Sequence, residues 1–250
     1  MQYRDLKGSK ISEIGFGCSG FWGDRRFSDR KAAKLIEEAF ELGINHFDTG
    51  HNYCNYNAEP RLGRALAPLL RRHDRSRFVV STKAGTTGRK FLGFKQGTTD
   101  FSPDYMENAC TKSLKNLGVD FVDVFYLHGI APHLINDELI DRLNRMKHKG
   151  LFRLLGINTH SDPMMRHVAS LPKVFDVILI DFNAAQQERI ETIGLLHKAG
   201  IAVMAGNVLA QGHLIPGKIG RPPLSLSDAY YLLRAVIKPE SRRLALSRKI

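Results

Sequence analysis

Short apolar runs rich in β-formers alternate along this chain with amphipathic helical patterns, and that alternation narrows the possible folds more than any other feature. A strand is expected over residues 13–17, a helix over 29–42, a strand over 44–47 and a helix over 58–70. A strand over 77–81 runs on into Lys83, a helix follows over 103–117, a strand over 121–127 runs into His128, and a helix follows over 137–147. Further strands fall near 154–157, 177–180 and 202–204, separated by helices around 164–169 and 188–198. Strands joined by crossover helices pair in parallel, and a chain of 250 residues with 43% apolar content has enough material to curl them into one closed sheet. The expected fold is α/β, a (β/α)8 TIM barrel in a single domain over 1–250, preceded by a short hairpin turned at Lys7-Gly8-Ser9. Seven strands are countable. After Gly212 the chain offers Pro216, Pro222, Pro223, a helical stretch over 227–237 and a basic end, so the eighth strand-helix unit is not visible and the sequence is expected to stop short of a full barrel.

In such a barrel the side chains at the C-terminal ends of the strands face one mouth. Asp48, Tyr53, Lys83 and His128 fall at or just past those ends on three consecutive strands. Singly, each has a plain structural explanation: Asp-Thr-Gly is a common turn, a lysine after a strand is commonly solvated, and a lone histidine is commonly a satisfied structural group. Together they make a chemical device. A free phenol ionises near pH ~10, a neighbouring ammonium favours the phenolate, and a carboxylate keeps a buried lysine charged. An imidazole beside them can donate to a carbonyl oxygen, so the set can protonate an oxygen that is becoming an alkoxide. The Gly-, Thr- and Lys-rich stretch 85–102 reads as a long loop at the same mouth, a candidate wall for a pocket.

Composition excludes several classes. The three cysteines, Cys18, Cys54 and Cys110, have no metal-ligand spacing and read as free thiols of a reducing compartment. No apolar signal core opens the chain and no run approaches membrane-spanning length, so a cytoplasmic protein without a membrane partner is expected. The net charge of +12 raises the question of nucleic acid, and Arg71, Arg72, Arg75 and Arg77 form the densest basic cluster. No aromatic residues interleave with it and no binding motif accompanies it, so a solvated barrel bottom is expected and no nucleic-acid partner. The same charge would attract a phosphorylated cofactor. None of the ten histidines forms a helical pair with a carboxylate in ligand spacing, and no metal is expected.

Gly43-Ile44-Asn45-His46-Phe47-Asp48-Thr49-Gly50, followed by Tyr53, Glu59 and Leu62-Gly63-Arg64-Ala65-Leu66, resembles the aldo-keto reductase signature. Ser81-Thr82-Lys83 and Tyr126-Leu127-His128 resemble that family's third and fourth strand ends, and the likeness runs from the N-terminus to about Gly212. The resemblance implies an enzyme that reduces a small-molecule aldehyde or ketone with NADPH. It implies Tyr53 as proton donor, Lys83 and Asp48 as the pair that tunes it, and His128 as the group that orients the substrate. It also implies an aromatic pocket wall from the loop holding Phe21 and Trp22, with Trp22 as substrate contact, and cofactor contacts from Gly17, Asn158, Thr159, Asn207, Leu209 and Gly212. Residues 207–212 resemble the family's Ser-Pro-Leu-x-x-Gly loop with Asn207 and Val208 substituted.

This chain also departs from the family's pattern. It has Asn158-Thr159 where Ser-Asn is usual, Leu179 where Gln is usual, and Gly206 where an aromatic ring often stacks on the nicotinamide. Asn158 and Thr159 can still bond a carboxamide, Leu179 cannot, and Gly206 removes a stacking platform. Two other readings therefore stand beside the reductase. One is a non-catalytic barrel that binds a nucleotide or a partner protein. The other is an isomerase or lyase that uses Tyr53 and Lys83 without a nicotinamide.

Overall fold

The structure, a computed structural model, describes residues 1–91, 94–96, 98–171, 173–184 and 186–210, with the backbone alone for 89–91 and 94–96. The chain opens with an antiparallel hairpin of β1 (Tyr3–Leu6) and β2 (Ser9–Ser12), whose turn residues Lys7 and Gly8 both take positive φ. There follow β3 (Gly15–Gly17), α1 (Gly20–Gly23), α2 (Asp29–Glu41), β4 (His46–Asp48), α3 (Ala58–Arg72) and β5 (Val79–Ala84). A second antiparallel hairpin, β6 (Arg89–Phe91) and β7 (Phe94–Gln96), precedes α4 (Pro103–Leu117), β8 (Val122–His128) and α5 (Asp137–His148). The described chain closes with β9 (Phe152–Thr159), α6 (Asp162–Ala169), β10 (Val177–Asp181), α7 (Ile190–Lys198) and β11 (Ala202–Gly206).

Seven strands form one parallel sheet in the order β3, β4, β5, β8, β9, β10, β11, which is sequence order apart from the inserted hairpin. The sheet is a curled half-barrel of the (β/α)8 kind, and each strand expected from the sequence is present. One expectation needs revision: the stretch 85–102 is not all loop, since it holds β6 and β7 and is bridged at Thr86 and Thr99. Residues 211–250, including Gly212 and the helix expected over 227–237, lie outside the described residues.

The helices begin and end where local chemistry directs. Helix α4 starts with Pro103 in its first turn, where a missing N–H costs nothing, and stops at Gly118, whose φ of 67° a residue with a Cβ would resist. Helix α5 starts at Asn136, whose side chain accepts from the Leu139 N–H. Outside the sheet, Ile36, Leu62, Leu66, Met106 and Leu143 pack into a core with outward strand residues such as Phe47, Val80 and Phe125. Inside, Leu6 and Ile11 of the hairpin join Val79, Val124, Tyr126 and Val177, so the hairpin closes the N-terminal end of the barrel.

The two clusters reveal the strand parity. Because side chains alternate, Val79 facing inward puts Ser81 and Lys83 on the inner face, and Val124 does the same for Tyr126 and His128. Room inside is tight. A Cβ on Gly156 would lie 2.4 Å from the Tyr126 ring, so glycine there admits that ring to the interior.

The basic cluster before β5 is only partly solvated. Arg75 binds the Asp123 carboxylate at 2.8 Å and the Phe121 carbonyl, and Arg72 pairs with Glu37 at 2.8 Å. No helix among the described residues is long and apolar enough to cross a membrane, and the three cysteines are free thiols.

Helices α3 and α4 touch at Gly63, where an added Cβ would stand 2.3 Å from the Asn116 carbonyl oxygen and 2.9 Å from the Leu117 carbonyl carbon. Backbone cannot swing aside as a side chain can, so Gly63→Ala is expected to destabilise by about 1–3 kcal/mol. Denaturant unfolding reads this directly, and an unchanged midpoint would contradict the close approach of the two helices.

Candidate active site

The inward parity of β4 and β5 brings Asp48 and Lys83 together. The Lys83 side chain is 2% exposed, and its Nζ donates to Asp48 Oδ1 and Oδ2 at 2.7 and 2.6 Å. The carboxylate is held from behind, where Ser81 Oγ donates to Oδ1 at 2.7 Å and His46 Nε2 lies 2.9 Å from Ser81 Oγ. Lys83 Nζ stands 5.3 Å from the centroid of the Tyr53 ring and 5.5 Å from that of Tyr126. The rings of Tyr53 and His128 meet edge to face with centroids 5.5 Å apart. All four residues singled out for chemistry thus gather around one buried ammonium.

The segment after β4 is built to hold Tyr53 there. Its backbone continues the ladder with β5, Thr49 N–H donating to Ser81 O and His51 N–H to Lys83 O, and a turn closed by Tyr53 N–H on Gly50 O then carries it away from the sheet. A Cβ on Gly50 would sit 3.1 Å from Lys83 and 3.2 Å from the Tyr53 ring, so a small residue lets the two approach. Cys54, Asn55 and Tyr56 then all take the left-handed conformation, with φ of 54°, 55° and 66°. Such a run costs about 1–2 kcal/mol per residue. Bonds around it offset that cost: Asn57 Nδ2 donates to Gly23 O, and the Tyr56 hydroxyl accepts from Gly88 N–H at the foot of the inserted hairpin.

Burial decides the protonation states. Desolvation pushes the Tyr53 phenol above its ordinary value, and Lys83 reverses this only in part. The sequence-based expectation that the ammonium brings the phenol towards neutrality is corrected in direction, because loss of water outweighs one nearby charge. Burial also works against the Lys83 charge, but the attraction of Asp48 and its two hydrogen bonds more than compensate and raise the lysine. At neutral pH the site holds a protonated phenol beside a charged lysine.

Glu59, part of the sequence pattern but given no role from it, proves to be the hub of a buried network. Thr82 Oγ1 donates to Oε1 at 2.7 Å, Asn116 Nδ2 donates to Oε2 at 3.0 Å, and His51 Nδ1 lies 3.3 Å from Oε2 and 3.2 Å from Ser113 Oγ. This ties the Tyr53 loop to β5, α3 and α4. Burial pushes the carboxyl up, and the bonds from His51, Ser113 and Thr82 overcome that, leaving Glu59 below its ordinary value.

The residues marked for cofactor are distributed along the neighbouring strand ends. Gly17 ends β3 opposite Asp48. Asn158 and Thr159 end β9 and are buried; Asn158 Nδ2 donates to Leu179 O, and Thr159 Oγ1 accepts from Ser161 N–H. Asn207 follows β11 at positive φ, and Leu209 is 54% exposed. Trp22, marked for substrate, is 7% exposed, its indole N–H donates to Ala32 O, and it packs on Phe16, while Phe21 beside it is 66% exposed. Asp181 escaped sequence reading although it lies on inward parity at the end of β10. It pairs with His160 at 3.0 Å, and although burial pushes it up, His160, Arg189 and Asn207 hold it below its ordinary value. Among the described residues no group of three or more His, Cys, Asp or Glu side chains is placed to hold a metal ion.

A parallel strand-helix sheet that gathers a phenol, an ammonium and an imidazole at the C-terminal ends of its strands has the layout of a barrel-type site. The aldo/keto reductase family profile matches residues 13–225, and the chain belongs to that family of oxidoreductases, whose members use nicotinamide cofactors. It is 30% identical over 222 residues to the uncharacterized oxidoreductase YqkF of Bacillus subtilis, covering 89% of this chain and 69% of that one. It is 31% identical over 217 residues to L-galactose dehydrogenase of Arabidopsis thaliana, covering 83% of this chain and 64% of that one. Among solved structures, the holo form of aldo-keto reductase AKR11C1 from Bacillus halodurans superposes with a TM-score of 0.73 at 26% identity, over 96% of this chain and 78% of that one.

Glu59→Gln keeps the shape and removes the charge, and is expected to cost about 1–3 kcal/mol at pH 7. A depressed folded value means that the carboxylate's contribution is complete above the unfolded value of about 4.3 and disappears as pH falls through the folded one. Urea unfolding at pH 7 and pH 3 should therefore show a wide gap between wild type and variant at pH 7 that narrows at pH 3.

Proposed function

We propose that this chain is an NADPH-dependent carbonyl reductase that converts an aldehyde or ketone to an alcohol, with Tyr53 as the proton donor. The observation that carries the reading is the buried Lys83 ammonium, held by Asp48 and facing a Tyr53 phenol that burial keeps protonated. An acid must hold its proton until the substrate oxygen gains charge, and an elevated phenol does so across the neutral range. As Tyr53 gives that proton to the carbonyl oxygen, the phenolate left behind is stabilised by Lys83, whose charge Asp48 secures. His128, edge-on to Tyr53, orients the carbonyl by donating to the same oxygen.

The residues present fit a nicotinamide. Asn158 and Thr159 at the end of β9 and Asn207 after β11 supply polar groups for the carboxamide and the neighbouring phosphate. Gly206 adds no bulk, and a Cβ there would meet only ordinary contacts, the nearest at 3.4 Å on Leu179. When bound, the nicotinamide supplies the hydride. The net charge of +12 favours the more highly phosphorylated NADPH, and three free thiols fit a reducing cytoplasm. One observation favours a second reading, a barrel that binds a nucleotide without turnover: Asn158 already spends its amide on Leu179 O, and Gly206 offers no stacking ring.

A fluorescence titration of the chain with NADPH beside NADH is expected to saturate with the tighter binding for NADPH. Tyr53→Phe should leave that binding intact and lower kcat for carbonyl reduction by about 10²–10⁴-fold. Because the phenol is raised, the wild-type rate should hold through pH 9 and fall only above the ordinary tyrosine value of about 10. Full turnover by the phenylalanine variant would sink the assignment of Tyr53, and binding without reduction of any carbonyl would favour the second reading.

A further inference from the structure

Behind the Lys83–Asp48 pair a line of hydrogen bonds continues into the barrel, and the mechanism above leaves it unused. Ser81 lies two residues before Lys83 on β5, and His46 two residues before Asp48 on β4, so both share the inner face with the residues they precede. Ser81 is 0% and His46 9% exposed. A serine hydroxyl has a single proton to give. That proton goes to Asp48 Oδ1, so Ser81 Oγ must accept at its other contact, and His46 Nε2, 2.9 Å away, must carry the hydrogen. The line therefore has one direction: His46 Nε2–H to Ser81 Oγ, and Ser81 O–H to Asp48.

Its surroundings agree. Burial holds the imidazole below its ordinary value, Asp48 and Asp123 opposing and Lys83 reinforcing this, so His46 is neutral at pH 7 and has one N–H to place. On the Nδ1 side the neighbour is Gly15, where a Cβ would come within 2.6 Å of that nitrogen. The titratable and charged groups that face the line are Asp48, Lys83, Asp123, Tyr126, Tyr53 and Cys18. Asp48 is the acceptor to which Ser81 is committed.

We propose that His46 and Ser81 are positioning residues of the reduction: their hydrogen-bonded line pins one Asp48 oxygen so that both oxygens stay turned to Lys83 and the ammonium remains charged beside Tyr53. The proposal rests on the reading of Tyr53 as proton donor. An Asp carboxyl rotates easily about its terminal torsion, and a fixed donor behind it removes that freedom. Without the donor the ammonium loses part of the support that offsets its burial, so it surrenders its proton at lower pH and the phenolate loses its counter-charge.

The test uses Ser81→Ala, His46→Gln, which keeps an N–H at similar reach, and His46→Leu, which does not, all in the full 250-residue chain. Ser81→Ala and His46→Leu are expected to lower kcat about tenfold and to move the alkaline limb of kcat to lower pH, with KM and NADPH affinity within about twofold of wild type. His46→Gln should recover most of the rate and the wild-type limb. A purely structural role would lower the melting temperature and the active fraction and leave the limb in place. Imidazole 15N spectra supply a readout that needs no turnover: His46 should show the Nε2–H tautomer, and its shift should change in Ser81→Ala. A wild-type profile in Ser81→Ala, or His46 in the Nδ1–H form, overturns this proposal alone, whereas a folded wild type that binds NADPH and reduces nothing overturns it together with the reading of Tyr53.

Discussion

The buried contact between the Lys83 ammonium and the Asp48 carboxylate governs the upper half of the barrel. Removing one partner of such a pair leaves an unpaired charge in a dry site, a loss of about 3–5 kcal/mol. The pair also restricts geometry. Both oxygens of Asp48 face one nitrogen, which holds the end of β4 against β5 in the register that sets Asp48 opposite Ser81. From that register follow the ladder bonds of Thr49 and His51, the turn at Gly50, and the place at which Tyr53 leaves the strand.

The ammonium of the pair is buried because of what lies beneath it. The inner face runs from apolar to polar along the strand direction: Leu6, Ile11, Val79 and Val177 at the bottom, then Tyr126, whose hydroxyl donates to Met204 Sδ, then Lys83, Asp48 and His128. The hairpin that plugs the lower end keeps water from reaching the ammonium from below, which strengthens every charge interaction above it. Stability and chemistry are coupled here, since the same exclusion of water raises the Tyr53 phenol and makes Asp48 indispensable to Lys83.

Much of the fold could be read from the residues, and the departures have local causes. Helix α4 was expected and found at 103–117 because Pro103 and Gly118 mark both ends chemically. Strand β9 was expected over 154–157 and runs from Phe152 to Thr159, because Arg153 and the polar Asn158 and Thr159 interrupt the apolar run while their backbones keep the ladder. The hairpin β6 and β7 was missed because a Gly-, Thr- and Lys-rich stretch offers no alternating pattern. The indole of Trp22 packs against α2 and donates to Ala32 O, a placement that depends on an acceptor ten residues away in sequence.

The sequence by itself determined the order of strands and helices, their parallel pairing, and the identity of the four residues at the strand ends, because periodicity and turn chemistry are local properties. Tertiary structure alone decided that Ser81 and His46 stand behind Asp48, that Glu59 of α3 binds groups from β5, α4 and the Tyr53 loop, and that the phenol moves up and not down. Those outcomes depend on distances between residues remote in sequence and on how much water the packed barrel excludes, and neither quantity exists until the sheet has curled and its lower end is closed.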